Sequence, residues 1–537
     1  MENKKVLLIA VYSDEMDDSF EEPGICSIAA FLRRHDIDVA IMAEKEKSVD
    51  LQKIIDMKPF LIGFSIYNVS KDAVFRVIHS LKKKVHFPCY ICLGGSMATS
   101  YSKELMNEEP LIDFIIKGEG ELPFLQLINR IIDKDTFSNI KGLVYRNSDK
   151  VFVNEGQQVI NDGNDLPIMA RDILKAKKNN IVLISTSRGC SGNCTFCISK
   201  SFWKKWRGRD AKSIVDEMES VKQTFNVDKF NFIDSSFEDP DIYCSRLRSI
   251  ADEILNRKIK VYYYADFRAD IGNKASKELI RSLHKSGLCS VLLGIEAGNE
   301  QDLKLYAKNT HLQAIEKSIE LFNSNEIHII PGFINFNPYS TMDTLKENIN
   351  FLYKHGYASF PLQVLTKYRL FKGTALYSKI ERDGLLSNGQ YFDEFKYRFV
   401  DKKVELLDNF LFNIMQADKN QEFSYFNKLS GHYKILLKYY IKFFEDQGKY
   451  EAREVVTLYE AKLNEVLNKI NERIYEWFYQ LLDLCIKDCW CNEDAFLITK
   501  RMFTNDFIHN INEEIKSINI DLTLLLFKIG ERFEAII

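Results

Sequence analysis

Short apolar, β-branched runs separated by helix-length segments recur through two stretches of this 537-residue chain, and this alternation restricts its fold more than any other feature. In the first stretch, strand-like runs fall at 6–11, 39–42, 61–66, 90–93 and 114–116, with a helical pattern near 73–83. Runs at that spacing predict parallel βαβ units in a doubly wound sheet. Such sheets bind ligands outside the carboxyl ends of their strands. Three glycine-bearing segments fall there: Gly63-Phe64-Ser65-Ile66-Tyr67, Gly94-Gly95-Ser96-Met97-Ala98-Thr99 and Lys117-Gly118-Glu119-Gly120-Glu121. Glycine lets a backbone turn tightly or come close to a bulky ligand. The second stretch, 181 to about 390, has strand patterns at 181–185, 230–233, 261–265, 290–293, 327–330 or 332–335, and 363–365.

Between them, residues 136–180 carry Gly142-Leu143-Val144-Tyr145-Arg146 and Asp165-Leu166-Pro167, which predict a small hairpin and a linker. No proline follows Pro361, and residues 391–537 contain only Gly431, Gly448 and Gly530. With amphipathic stretches at 433–444 and 451–482, this reads as an all-helical domain. Its Tyr and Phe residues could wall a substrate pocket, although such aromatics more often form core. The expected units are therefore 1–135, 136–180, 181–390 and 391–537.

The chain is 46% apolar and 28% charged, ordinary for a globular protein able to bury a large core. A formal charge of -3 gives no electrostatic reason to expect nucleic acid as a partner. The apolar run at 6–11 is too short for a signal peptide, and no span reaches the ~20 apolar residues of a membrane helix. A cytoplasmic protein with reduced cysteines is expected.

The run Ser187-Arg188-Gly189-Cys190-Ser191-Gly192-Asn193-Cys194-Thr195-Phe196-Cys197 places three cysteines at C-x3-C-x2-C spacing. Three thiolates ligate three corners of a 4Fe-4S cluster and leave the fourth iron open to a chelating small molecule. Structural zinc takes four ligands, and no fourth Cys or His stands at suitable spacing. A disulfide within this run would leave an odd thiol. Cys485, Cys489 and Cys491 form C-x3-C-x-C, for which packing at a helix end is preferred over an auxiliary metal site.

The Cys190–Cys197 run, with aromatic Phe196 before the third cysteine, resembles the signature of radical S-adenosylmethionine (SAM) enzymes. The glycine-bearing strand ends, with Glu22-Pro23-Gly24-Ile25 through Arg34, resemble the cobalamin-binding domain that precedes the radical SAM domain in one large subfamily. The resemblance implies an N-terminal Rossmann-like cobalamin-binding domain and a partial (β/α)6 barrel, followed here by the helical region. It implies cluster ligation by Cys190, Cys194 and Cys197. SAM contacts are implied for Phe196, Asp234, Arg268, Gly294 and Glu296, and cobalamin contacts for Ser65, Tyr67, Gly94, Gly95, Ser96, Gly118 and Glu119. The chain lacks the Asp-x-His-x-x-Gly pattern that supplies an axial histidine elsewhere, and Met97 stands where the family often has His. Pro331-Gly332-Phe333 and Gly373-Thr374-Ala375-Leu376-Tyr377 match as fold markers, with Ala375 in place of a usual proline. Trp206-Arg207-Gly208-Arg209 matches a Trp-Arg-x-Arg pattern that either lines the gap between the two cofactor domains or forms a solvent loop.

The implied function is methyl transfer from cobalamin to an unactivated carbon of a small molecule or peptide, through a 5'-deoxyadenosyl radical. An external one-electron reductant such as flavodoxin or ferredoxin is implied as partner. The alternatives are a radical cyclisation, oxidation or rearrangement without methyl transfer, and a non-catalytic iron-sulfur sensor.

Overall fold

In the computed structural model, residues 5–528 are described, except 149, 175–180, 239, 390 and 417–418. The last six residues of the expected linker, and the extreme ends of both terminal units, lie outside the described residues.

The strand-like runs of the first stretch form β1 (Val6–Tyr12), β2 (Val39–Lys45), β3 (Leu61–Ser65), β4 (Tyr90–Gly94) and β5 (Phe114–Ile116), all parallel. The expected hairpin, β6 (Leu143–Asn147) and β7 (Lys150–Val153), joins antiparallel at the far edge, giving the order β2-β1-β3-β4-β5-β6-β7. Every residue of β1 is buried. Val6, Leu8 and Ala10 pack with residues of the helices Pro23–Arg33 and Glu121–Asp133, and Leu7, Ile9 and Val11 with residues of Lys71–Lys84. A strand covered on both faces reads as a continuous apolar run rather than an alternating one. β2 and β3 flank β1 on opposite sides, so the chain reverses its direction of travel there and opens a crevice at the carboxyl ends.

The second sheet contains β8 (Ile181–Ile184), β11 (Lys229–Phe232), β12 (Tyr262–Arg268), β13 (Leu288–Glu296) and β14 (His328–Phe333), parallel in the order β14-β13-β12-β11-β8. Between β8 and β11 a two-residue antiparallel ribbon pairs β9 (Ser187–Arg188) with β10 (Arg207–Gly208). The expected sixth strand at 363–365 is not formed. Pro361, with its fixed φ at a helix start, opens the short helix Pro361–Val364, and the edge is reduced to one parallel bridge between Phe336 and Lys367.

The C-terminal region is helical, with Lys434–Asp446 and Tyr450–Ile486 covering the segments expected at 433–444 and 451–482. Of its aromatic residues, Tyr439 and Phe443 cap the amino end of β12. Tyr439 meets Tyr262 at the start of β12 edge-on, with 4.9 Å between ring centroids, and its hydroxyl approaches Asp228, just before β11, at 3.4 Å. This places them as core at the opposite end of the strands from the cysteine loop. His328, at the start of β14, is enclosed in the same region and stacks on Phe360. Burial, reinforced by Lys434 and Lys438, holds its pKa well below the ordinary histidine value. Below about pH 6.5 an unfolded histidine takes a proton that the folded one refuses. Stability is therefore fully present above that pH and falls below it. The thermal midpoint is expected to drop between pH 7 and 5.5, and His328→Phe, which cannot take up the proton, to lose part of that drop. An unchanged slope would contradict this account.

Cys485 is buried at a helix end, whereas Cys489 and Cys491 are exposed. Among the described residues, no three His, Cys, Asp or Glu side chains converge on a single ion. No described helix is long and apolar enough to cross a membrane.

Candidate active site

The carboxyl ends of the first sheet open onto a chamber of about 460 Å³. Ser65, Tyr67, Gly94, Gly95, Ser96, Gly118 and Glu119 line it from one side, and Ser187, Arg188, Cys197, Ile198, Ser199 and Trp203 from the other. The strand ends of one sheet and the cysteine loop of the other thus face one space.

On the first-sheet side the wall is built to leave room. Gly94 ends β4, and a Cβ placed there would meet nothing within 4 Å. Gly95 follows at φ +105°, a conformation that favours glycine, with its Cβ position 3.1 Å from the Ile66 carbonyl oxygen. The Tyr67 hydroxyl donates to Glu22 at 3.1 Å, and the Gly118 amide donates to Thr99 Oγ1 at 2.9 Å. A glycine cradle that a side chain would fill suits a large, flat ligand such as a corrin. Met97 packs into the core with Leu105 and Met106.

The loop carrying Cys190, Cys194 and Cys197 follows β9, and all three thiols are half-buried. Gly189 has φ +85°, and a Cβ there would lie 2.4 Å from the Lys205 carbonyl oxygen, so this turn requires glycine. The Gly192 amide donates to Cys190 Sγ at 3.3 Å and the Ser199 amide to Cys197 Sγ at 3.4 Å. Arg268 Nη1 lies 3.7 Å from Cys194 Sγ, over Gly192, where a Cβ would collide with the guanidinium. Amide donors and a guanidinium aimed at sulfur stabilise thiolate charge, the form that ligates iron. Burial pushes the Cys197 thiol up to about 11, so metal binding there would release a proton. In a cube each cysteine binds its own iron, so the three need not converge on one point. The residues present fit a three-cysteine cluster.

Arg268, Glu296 and Lys308 gather beside Cys194. Arg268 Nη2 donates to the Lys308 carbonyl at 3.0 Å, and Lys308 Nζ lies 3.3 Å from Glu296 Oε1. Glu296 ends β13 at φ +69°, where the register with β14 shifts after Gly294. Non-glycine residues held in that region cost on the order of 1–3 kcal/mol and concentrate at functional sites. A Cβ at Gly294 would lie 2.9 Å from Glu296 Oε1, so a side chain there would displace the Glu296 carboxylate. Phe196 packs edge-on against Tyr306 at 5.3 Å. Arg268 Nε also pairs with Asp270 Oδ1 at 3.2 Å, and the set places a guanidinium, an ammonium and a carboxylate beside the cysteine loop, charges complementary to a zwitterionic amino acid such as the methionyl end of SAM.

Two expected contacts are committed elsewhere. Asp234 is 2% exposed, and its carboxylate accepts from the Thr186 and Ser187 amides, both at 2.8 Å, and from the Thr186 hydroxyl. It holds the chain entering the cysteine loop rather than facing a ligand. Glu119 reaches the chamber wall, but its oxygens are taken by Arg207 at 2.6 Å and Arg188 at 2.9 Å. Arg188 also binds Glu121 at 2.6 Å and Ser27 at 2.7 Å, while the Trp203 ring lies 5.2 Å from its guanidinium. Burial opposes charge on Glu121, but Arg188 and Ser27 outweigh it and hold the carboxyl below the usual range. Arg207 is therefore buried in the gap between the two sheets, and Arg209 is buried against Ser185, Ser213 and Glu217, so neither stands on a solvent loop. Removing one partner of such a buried pair costs about 3–5 kcal/mol.

Sequence reasoning did not single out Lys308 or the pairing of Arg188 with Glu119 and Glu121. Lys308 follows the Gly294–Gly298 segment by ten residues and carries no motif of its own. The glutamates lay in a quoted segment, but nothing local names their partners.

Two family models match the chain: the Radical SAM superfamily over residues 184–352 and the B12 binding domain over residues 10–128. An uncharacterized methyltransferase of Pyrococcus horikoshii is 24% identical over 392 residues, covering 71% of this chain and 83% of that protein. The anaerobic magnesium-protoporphyrin IX monomethyl ester cyclase of Rubrivivax gelatinosus is 28% identical over 313 residues, 55% of this chain, which spans 54% of that enzyme. The structure of the cobalamin-dependent S-adenosylmethionine radical enzyme OxsB, with aqua-cobalamin and S-adenosylmethionine bound, superposes with a TM-score of 0.69 at 18% identity. It covers 98% of this chain and 80% of the OxsB chain.

Proposed function

Because this chain belongs to the radical SAM enzymes that carry a B12-binding domain, we propose that it methylates an unactivated carbon of a small-molecule or peptide substrate. The observation that carries this reading is the shared chamber, in which the glycine-lined strand ends and Cys197 face one space. The chemistry supplied by the bound groups is reductive cleavage of SAM and delivery of a methyl group.

The residues supply position and electrostatics. Cys190, Cys194 and Cys197 hold the cluster. Arg268 and Lys308 neutralise the SAM carboxylate, Glu296 accepts from its amino group, and Gly294 leaves the space in which Glu296 turns. Phe196 packs beside the adenine. Ser65, Tyr67, Gly94, Gly95, Ser96 and Gly118 form the cobalamin wall, and Glu119 and Asp234 position the loops. Holding the reacting groups across one enclosed space supplies proximity and keeps water out. The proposed units are 1–135 for cobalamin, 181–390 for the cluster and SAM, and 391–537 as the helical cap, with 136–180 connecting. The working compartment is the cytoplasm, and the electron donor is a flavodoxin or ferredoxin.

The test needs no substrate. Reconstituted protein given dithionite and methyl-labelled SAM is expected to pass label from SAM into the cobalamin fraction. Label found only on SAM and on the methionine released with 5'-deoxyadenosine, with none in the cobalamin fraction, favours the second reading, a cyclisation or rearrangement suggested by similarity to the Rubrivivax cyclase. Arg268→Lys keeps the charge but loses the fork, and is expected to weaken SAM binding tenfold or more, since one charge-assisted hydrogen bond contributes about 1.5–3 kcal/mol. Calorimetric titration of the reconstituted protein checks it, and unchanged affinity would remove Arg268 from the SAM site.

A further inference from the structure

Arg188 stands two residues before Cys190, and both its guanidinium arms cross to the first sheet. Nη1 binds Glu119, and Nη2 binds Glu121 and the Ser27 hydroxyl. Across the β9–β10 ribbon, Arg188 pairs with Arg207, which binds both oxygens of Glu119 and the Ile160 carbonyl. Glu119, in the loop after β5, and Glu121, the first residue of the helix Glu121–Asp133, flank Gly120, and this segment lines the chamber beside Gly118. A Cβ at Gly120 would lie 2.5 Å from Ile28 Cδ1, so this segment packs closely against the helix Pro23–Arg33 that carries Ser27. All four charged residues are buried, at 3–8% exposure. At that burial water replaces a lost partner poorly, so the cysteine loop and the chamber loop move together or break a buried charge pair.

We propose that Arg188, Glu119 and Glu121 are positioning residues that couple the two cofactor sites, so that assembly of the cluster tightens cobalamin binding and bound cobalamin favours assembly of the cluster. The proposal rests on the two-cofactor reading above. Ligation of Cys190 fixes the loop two residues from Arg188, and Arg188 passes that order to the Gly118–Glu121 wall. By linkage the effect is equal in both directions, and such couplings run to about fivefold or more.

The experiment measures the Kd of hydroxocobalamin for the full chain by absorbance titration, with and without prior iron-sulfide reconstitution. Wild type is expected to bind at least about fivefold more tightly with the cluster in place. Glu121→Gln, which removes charge but keeps shape, is expected to bring that ratio toward one while both forms still bind. A purely structural role would weaken both affinities alike and leave the ratio unchanged, and this result would overturn the assignment to Glu121. Equal affinity of the two wild-type forms would overturn the coupling itself, whether or not any variant folds. Absence of cobalamin binding in both forms would overturn the coupling together with the two-cofactor reading.

Discussion

Alanine at Cys190, Cys194 or Cys197 is expected to abolish SAM cleavage and reduce bound iron to background, while leaving the fold intact. Each thiolate serves a different iron, so none can stand in for another. The other eight cysteines offer no replacement on the loop: Cys26, Cys89, Cys92, Cys244, Cys289 and Cys485 are buried elsewhere, and Cys489 and Cys491 lie on the helical region. The loss should be all-or-none rather than graded, because without the cluster no electron reaches SAM. The loss of stability should be modest, about 1 kcal/mol, the centre of the range for point substitutions, since the three thiols are only half-buried. Iron and sulfide content, 5'-deoxyadenosine yield and thermal midpoint read the three effects separately. A single-alanine variant with wild-type iron and wild-type 5'-deoxyadenosine would sink the ligand assignment.

Gly94→Leu is expected to eliminate cobalamin retention and leave cluster assembly possible. Gly94 is the informative position because the space in front of it is open and its backbone carries no positive φ. A leucine there enters the chamber without disturbing the sheet. Gly95, with φ +105°, and Gly120, with Ile28 at 2.5 Å, would confound lost binding with backbone strain or a clash. Gel filtration after loading with hydroxocobalamin, followed by cobalt and iron assay, separates the outcomes. Full cobalamin retention in folded Gly94→Leu would show that this wall does not face the corrin.

The two stretches of alternating strand and helix were legible because their physics is local. β1 reads as apolar from end to end because helices cover both its faces, and the spacing of such runs admits only crossover connections. The cysteine loop was legible because three ligands sit within eight residues of sequence. What the sequence concealed depends on distant partners. Asp234 looks like a ligand-facing strand-end acid, but a pair of backbone amides 47 and 48 residues earlier occupies it. Glu119 reads as a wall residue until Arg188, 69 residues away, and Arg207, 88 residues away, arrive to neutralise it. Lys308 becomes visible only where β13 turns Glu296 toward it. The run at 363–365 has strand composition, yet Pro361 two residues earlier starts a helix, and a local signal overrides the expected repeat. The aromatic residues of the helical region left open whether they face a ligand or a core. Packing against Tyr262 at the amino end of β12 assigns Tyr439 and Phe443 to the core, whereas Phe412, Tyr450 and Phe496 are exposed.

A chain that brings a cluster and cobalamin to a single chamber must hold both at once, and cofactor content after anaerobic reconstitution with iron, sulfide and hydroxocobalamin measures this. Following gel filtration, about one cobalamin and about four irons per chain are expected. A chain that keeps its iron while cobalt elutes entirely in the free fraction would contradict the shared chamber.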